Sequence, residues 1–127
     1  MHYLLLVYWN EANWNAQPEA VREKIWEECS AYGRDLTASG HFLGGAPLQP
    51  VAAARTIRKV EGATIETDGP FAETKEVLAG YHLVQCKDLD EAMALGRRFP
   101  GLKVGAAIEV RPLLTERCDC DVRLKQK

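Results

Sequence analysis

Two stretches of the chain carry helical periodicity, and each is flanked on both sides by strand-like runs; no other feature constrains the fold as much. In the first, Val21, Ile25, Cys29, Tyr32 and Leu36 recur at i+4 and i+3 spacing, the apolar stripe of an amphipathic helix. Pro18 suits its first turn, Glu19 stands at the positive end of its dipole, and Gly40 is placed to end it. In the second, Asp88 is an N-cap with Glu91 three residues on. Leu89, Ala92, Met93, Gly96 and Phe99 form the stripe, and Pro100-Gly101 stops it. Met1 to Trp9, Phe42 to Ala46, Val77 to Cys86 and Val104 to Arg111 read as strands. Arg55 to Val60 and Ala63 to Asp68 read as a hairpin about Glu61-Gly62, where Gly in second place suits a primed turn. Asn10 to Gln17 reads as a polar loop containing Trp14.

The order is strand, helix, strand, hairpin, strand, helix, strand. Without the hairpin it is the split βαβ pattern of ferredoxin-like folds, an α+β architecture with both helices on one face of an antiparallel sheet. Strand alternation predicts what each face carries. In the last strand Val104, Ala106, Ile108 and Val110 suit the helices. Gly105, Ala107, Glu109 and Arg111 point the other way, toward a cavity or a partner subunit. His82 is expected on a face with Leu78, Gly80, Val84 and Cys86.

Composition removes several classes of function. A chain of 127 residues fits one domain with a core of its own. A net charge of −2 gives no electrostatic footprint for nucleic acid. The run Leu4-Leu5-Leu6-Val7 is too short to span a membrane, and His2 alone precedes it, so no signal peptide is expected and the cytoplasm is the expected compartment. Cys29 and Cys86 fall in apolar-periodic segments and read as core thiols. Cys118-Asp119-Cys120 lies in the polar tail or arm 113–127. No second cysteine pair completes a four-ligand set, so an oxidisable tail is the reading rather than a metal site. With no phosphate loop and no nucleophile elbow, no cofactor and no metal are expected.

One run is unusually specific. Thr67-Asp68-Gly69-Pro70-Phe71-Ala72-Glu73-Thr74-Lys75-Glu76 sets an acid, a rigid bend, an aromatic expected to anchor a core or an interface, and three further charges within ten residues. Glu73, Lys75 and Glu76 read as a solvated, mutually paired stretch. Together with Tyr3-Leu4-Leu5-Leu6-Val7-Tyr8, Leu48-Gln49-Pro50, Gly80-Tyr81 and Glu109-Val110-Arg111-Pro112, the run resembles the YCII-related proteins of the DGPF subgroup over residues 1–112. The resemblance implies a ferredoxin-like domain that pairs into a dimeric α/β barrel, as in muconolactone isomerases, and so a homodimer. It implies no settled activity. Some members are associated with extracytoplasmic-function sigma factors, which suggests a regulatory setting. Other YCII-related proteins are enzymes that use a His-Asp pair on small aromatic substrates. His2, His41 and His82 fall in no motif that matches that pair.

The residues themselves nominate a candidate site. Asp68, before a Gly-Pro bend, is a cap of its own turn or, alternatively, a carboxylate at a cavity mouth. His82 is a satisfied core or interface histidine unless it meets Asp68, in which case the two form an acid-base dyad. Arg111 is the residue best suited to grip a small organic anion, with pairing to Glu109 as the structural alternative. Trp9 and Trp14 are candidates for an apolar wall. Two functions follow: a ligand-binding homodimer in a regulatory or metabolic role, or an isomerase- or lyase-like enzyme transferring a proton in a barrel cavity.

Overall fold

The computed structural model describes residues 1–114; the tail carrying Cys118-Asp119-Cys120 lies outside the described residues. Six strands and three helices follow in the order β1 (His2–Trp9), α1 (Glu11–Ala16), α2 (Glu19–Ala38), β2 (Phe42–Pro47), β3 (Arg55–Val60), β4 (Ala63–Asp68), β5 (Val77–Gln85), α3 (Leu89–Arg97) and β6 (Ala107–Pro112). Strands β2, β5, β1 and β6 form one antiparallel sheet in that spatial order, while β3 and β4 pair only with each other. This is the ferredoxin-like arrangement, with the hairpin inserted after β2 and held outside the main sheet.

The core lies between the sheet and helices α2 and α3. Tyr3, Leu5 and Val7 of β1 and Val84 of β5 meet Tyr32 and Leu36 of α2, Ala92 and Leu95 of α3, and Phe99 beyond it. The Tyr32 hydroxyl donates to the Leu95 carbonyl at 2.8 Å across the two helices, so a buried polar group is satisfied where the helices meet. Gly96 lets α3 lie close on β6: a Cβ there would stand 3.3 Å from Ile108 Cγ2.

Several boundaries differ from the sequence reading. Residues 10–17 are not a loop. Asn10 accepts from the Asn13 amide at 3.0 Å and caps α1, and burial of Trp14 gives this short helix a tertiary anchor. The last strand starts at Ala107 rather than Val104, because Pro100–Val104 winds into a 3₁₀ turn that Gly105 leaves with φ of 93°. On α3, Leu95 enters the core while Leu89 and Met93 are exposed. In β5 a bulge at Ala79 breaks the alternation, since Val7 faces Gly80 and Tyr8 faces Leu78. Leu78 therefore leaves the face of His82 and is exposed, and Ala79 takes the core position. The expected alternation holds in β6, where Ile108 and Val110 pack on the core and Ala107 and Arg111 are exposed.

Candidate functional site

The bulge in β5 and the glycines of β2 open a cavity of about 240 Å³ between the sheet and α2. Gly45 brings β2 hard against β5, since a Cβ there would clash with the Tyr81 carbonyl oxygen. Gly33 lies mid-helix in α2 and lines the cavity, and a Cβ there would meet nothing within 4 Å. Glycine inside a helix costs about 1 kcal/mol relative to alanine, and here it leaves space where a side chain would stand. The remaining wall is mostly apolar: Val7, Trp9, Trp26, Phe42, Ala79 and Phe99, with His82 as its titratable imidazole.

His82 is wedged among aromatic rings. Its ring centroid lies 5.4 Å from that of Tyr32, 5.8 Å from Phe99 and 6.3 Å from Phe42, all edge-to-face. Nδ1 is buried with no hydrogen-bond partner among the described residues, which leaves Nε2 as the ring nitrogen a ligand can reach. Burial holds the His82 pKa below its ordinary value of 6.5, so the imidazole is neutral at pH 7 and able to accept a proton. Two other groups here keep their protons. Burial, reinforced by Glu28, pushes the Cys29 thiol up to about 11, and burial chiefly pushes the Tyr32 phenol up to about 12. Cys29 in this cavity is therefore a thiol rather than a reactive thiolate.

The three indoles form one cluster. Trp9 and Trp14 stack with centroids 4.5 Å apart, and Trp26 meets both edge-on at 6.4 and 5.7 Å. Trp9 and Trp26 border this cavity and also a second one of about 170 Å³, lined by Trp14, Leu48, Gln49 and Pro50. Of the two expected wall residues, Trp9 lines the His82 cavity and Trp14 lines only the second one. Trp26 was missed because it falls one position beyond Ile25, off the stripe that defines the buried face of α2. Phe42, Phe99 and Gly33 were visible only as a strand start, a core residue and a helix residue; nothing in their spacing joined them to His82.

The structure does not bring Asp68 to His82. Asp68 ends β4 on the hairpin, with its side chain 87% exposed and Nε of Arg55 at 3.2 Å, and it does not line the His82 cavity. Within one chain the Asp68–His82 dyad is therefore not formed. Arg111 and Glu109 pair with each other, Nη2 to Oε2 at 2.5 Å. The hydrogen bond that Arg111 donates to Glu109, and then the Glu109 charge, raise the Arg111 pKa further. In the sheet register they sit opposite Leu4 and Leu6, whereas the His82 face carries Leu5, so the pair is on the far side of the sheet from the cavity. Phe71 is 73% exposed rather than buried, with Arg58 5.4 Å above its ring.

A ferredoxin-like domain with an aromatic cavity between sheet and helix is the class that fold and site define. Within it, this chain belongs to the YCII-related domain family, whose sequence profile matches residues 1–115. It is 39% identical over 114 residues to the uncharacterized protein R00369 of Rhizobium meliloti (strain 1021), covering 89% of this chain and 92% of that one. It also resembles the solved structure of 5-chloro-2-hydroxyhydroquinone dehydrochlorinase (TftG) from Burkholderia phenoliruptrix AC1100, in complex with 2,5-dihydroxybenzoquinone. The TM-score is 0.53 at 17% identity, over 89% of this chain and 93% of that one, which establishes likeness of fold. No helix among the described residues is long and apolar enough to cross a membrane.

Proposed function

We propose that this chain is a DGPF-type YCII protein that works as a homodimer and holds a small single-ring aromatic molecule bearing a hydroxyl group in the His82 cavity. The observation that carries the reading is a neutral imidazole among aromatic rings in the wall of a preformed apolar cavity. A cavity of about 150 Å³ suffices for benzene, so about 240 Å³ accommodates one substituted ring. A ligand hydroxyl donates to His82, and Trp9, Phe42 and Phe99 cover the ring faces and edges. No arginine or lysine lines the cavity among the described residues, which favours a phenol-type ligand over a carboxylate. The ligand bound in the fold neighbour, 2,5-dihydroxybenzoquinone, is a quinone rather than an aromatic, but it too is a single six-membered ring bearing hydroxyl groups. The proton-accepting state of His82 also supports the second reading, an enzyme in which His82 takes the hydroxyl proton.

The dimer surface proposed is the sheet face away from the helices. Its register brings together Leu4, Leu6 and Tyr8 with Leu78, Tyr81 and Leu83, and the Glu109–Arg111 pair stands at the side. Sedimentation at micromolar concentration is expected to give a dimer, and a monomer would remove this part of the proposal. For the ligand, a panel of single-ring phenols, hydroquinones and benzoates is screened by thermal shift. A phenol at a hundred times its dissociation constant stabilises wild type by about 2.7 kcal/mol. Gly33→Leu, which fills the cavity, is expected to abolish the shift, and Arg111→Ala to leave it unchanged. Loss of the shift in Arg111→Ala with retention in Gly33→Leu would move the site to the other face of the sheet.

A further inference from the structure

At the opposite end of β5 from the bulge, three side chains of different chemistry converge. His41 lies just before β2, Cys86 just after β5, and Glu91 in the first turn of α3. The ligand atoms of all three lie within 4.8 Å of one another, and His41 Nε2 stands 3.2 Å from Glu91 Oε1. Nitrogen and oxygen ligands at the usual 2.0–2.1 Å from a tetrahedral zinc ion stand about 3.3 Å apart, so this edge is already set to size. Each residue has a fixed backbone. The His41 amide donates to Leu36 O at 2.9 Å and its carbonyl accepts from Gln85, the Cys86 amide donates to Met1 O, and the Glu91 amide donates to the Asp88 carboxylate.

The surroundings are those of a ligand set rather than a chance contact. The Ser39 hydroxyl donates to Leu36 O at 3.1 Å, and its oxygen stands 2.7 Å from His41 Nδ1. With the Ser39 hydroxyl hydrogen on Leu36 O, Nδ1–H is the donor to Ser39, and Nε2 is turned toward the Glu91 carboxylate at a separation that either a proton or a metal ion can bridge. An outer partner on the second ring nitrogen is the usual device for orienting a metal-binding histidine. Glu91 Oε1 in turn accepts from the Lys87 amide at 3.1 Å, which orients the carboxylate. The thiol of Cys86 comes from the buried side and the other two residues from the half-buried rim.

We propose that His41, Cys86 and Glu91 bind one divalent d-block cation. Zinc(II) matches their mixed nitrogen, sulfur and oxygen donors, with the fourth position left to water. On binding, the Cys86 thiol releases its proton to solvent and the thiolate takes its place on the ion. The ion ties the start of β2, the end of β5 and the first turn of α3 together.

The test uses full-length protein stripped with a chelator, then titrated with zinc chloride by calorimetry and thermal melts, with cobalt(II) as the spectroscopic probe. One ion per chain, a rise in melting temperature and a thiolate-to-cobalt charge-transfer band are expected. Because Cys118 and Cys120 offer thiols of their own, a Cys118→Ser/Cys120→Ser variant must retain all three signals. His41→Gln and Glu91→Gln, at half-buried positions, should lose tight binding while still folding, and Cys86→Ser should lose the charge-transfer band. Ser39→Ala should weaken binding about 10-fold through the outer partner. The proposal is overturned if zinc leaves the melting temperature unmoved, if the tail variant loses the ion, or if His41→Gln binds like wild type. In each case His41 and Glu91 are a hydrogen-bonded pair and nothing more.

Discussion

The four-stranded sheet and the β3–β4 hairpin use strands of similar length, but different forces hold them. The sheet has a helix-covered face where Leu5, Val84 and Leu36 are fully buried. In the hairpin every residue is exposed except Thr56, including Ile57, Val60 and Ile65. The hairpin is defined by its own turn and by its root. Glu61 and Gly62 both take positive φ, as a type I′ turn requires. At the root the Gly69 amide donates to Ala54 O at 2.7 Å and the Thr56 hydroxyl to Gly69 O at 2.9 Å. An isolated two-stranded hairpin is marginal in water, so local hydrogen bonds and turn chemistry give it shape without much stability. Apolar burial gives the sheet both. The site follows the same division: His82 belongs to the buried half and Asp68 to the exposed one.

Substitutions sharpen or break this contrast. Leu36→Ala should cost about 2–5 kcal/mol in urea denaturation, while Ile57→Ala should stay within about 0.5 kcal/mol. Equal losses would mean that the hairpin buries its apolar side chains in the working assembly. At the root, Gly69 has φ of 95°, and although a Cβ there would meet nothing within 4 Å, a β-branched residue resists that backbone. Gly69→Val should therefore cost about 1–3 kcal/mol. Asp68→Asn removes only an exposed ion pair, about 0–1 kcal/mol. Melting curves in which Asp68→Asn is the more damaging change would contradict this ranking. The smallest effect is one of pH. The folded-state pKa of His82 is depressed, so the unfolded chain binds more protons below the ordinary value of 6.5. The His82 contribution to stability is intact above that pH and is lost as pH falls through it toward the folded pKa. His82→Phe should flatten this part of the stability–pH curve, and an unchanged curve would mean that the imidazole is hydrated in the fold.

Much of the fold was legible because periodicity and punctuation agree with the tertiary structure. Ile25, Tyr32 and Leu36 fall on the buried stripe of α2. Gly40 ends that helix with φ of 79°, Asp88 caps α3, and the hairpin turns at Glu61-Gly62. Misreadings arose where one residue shifts the phase. The bulge at Ala79 exchanges the faces of Leu78 and Ala79, and no local pattern announces it. The site was legible only in pieces. Trp9 and His82 are prominent by residue type, but their wall is completed by Gly33, Phe42 and Phe99. Those residues meet through a helix crossing that spacing along the chain does not encode. Arg111 and Asp68 drew attention by charge, and both are neutralised by neighbours, Glu109 and Arg55.

The indole cluster also has a spectroscopic consequence. Trp9, Trp14 and Trp26 are all the tryptophans of the chain, and they stand together at the cavity. Intrinsic emission excited at the red edge of the protein band therefore comes from a single locale. A quinone or phenol entering beside Trp9 should quench it or shift it, while events on the hairpin leave it unchanged. The protein carries its own reporter for occupancy of the site, with no added label.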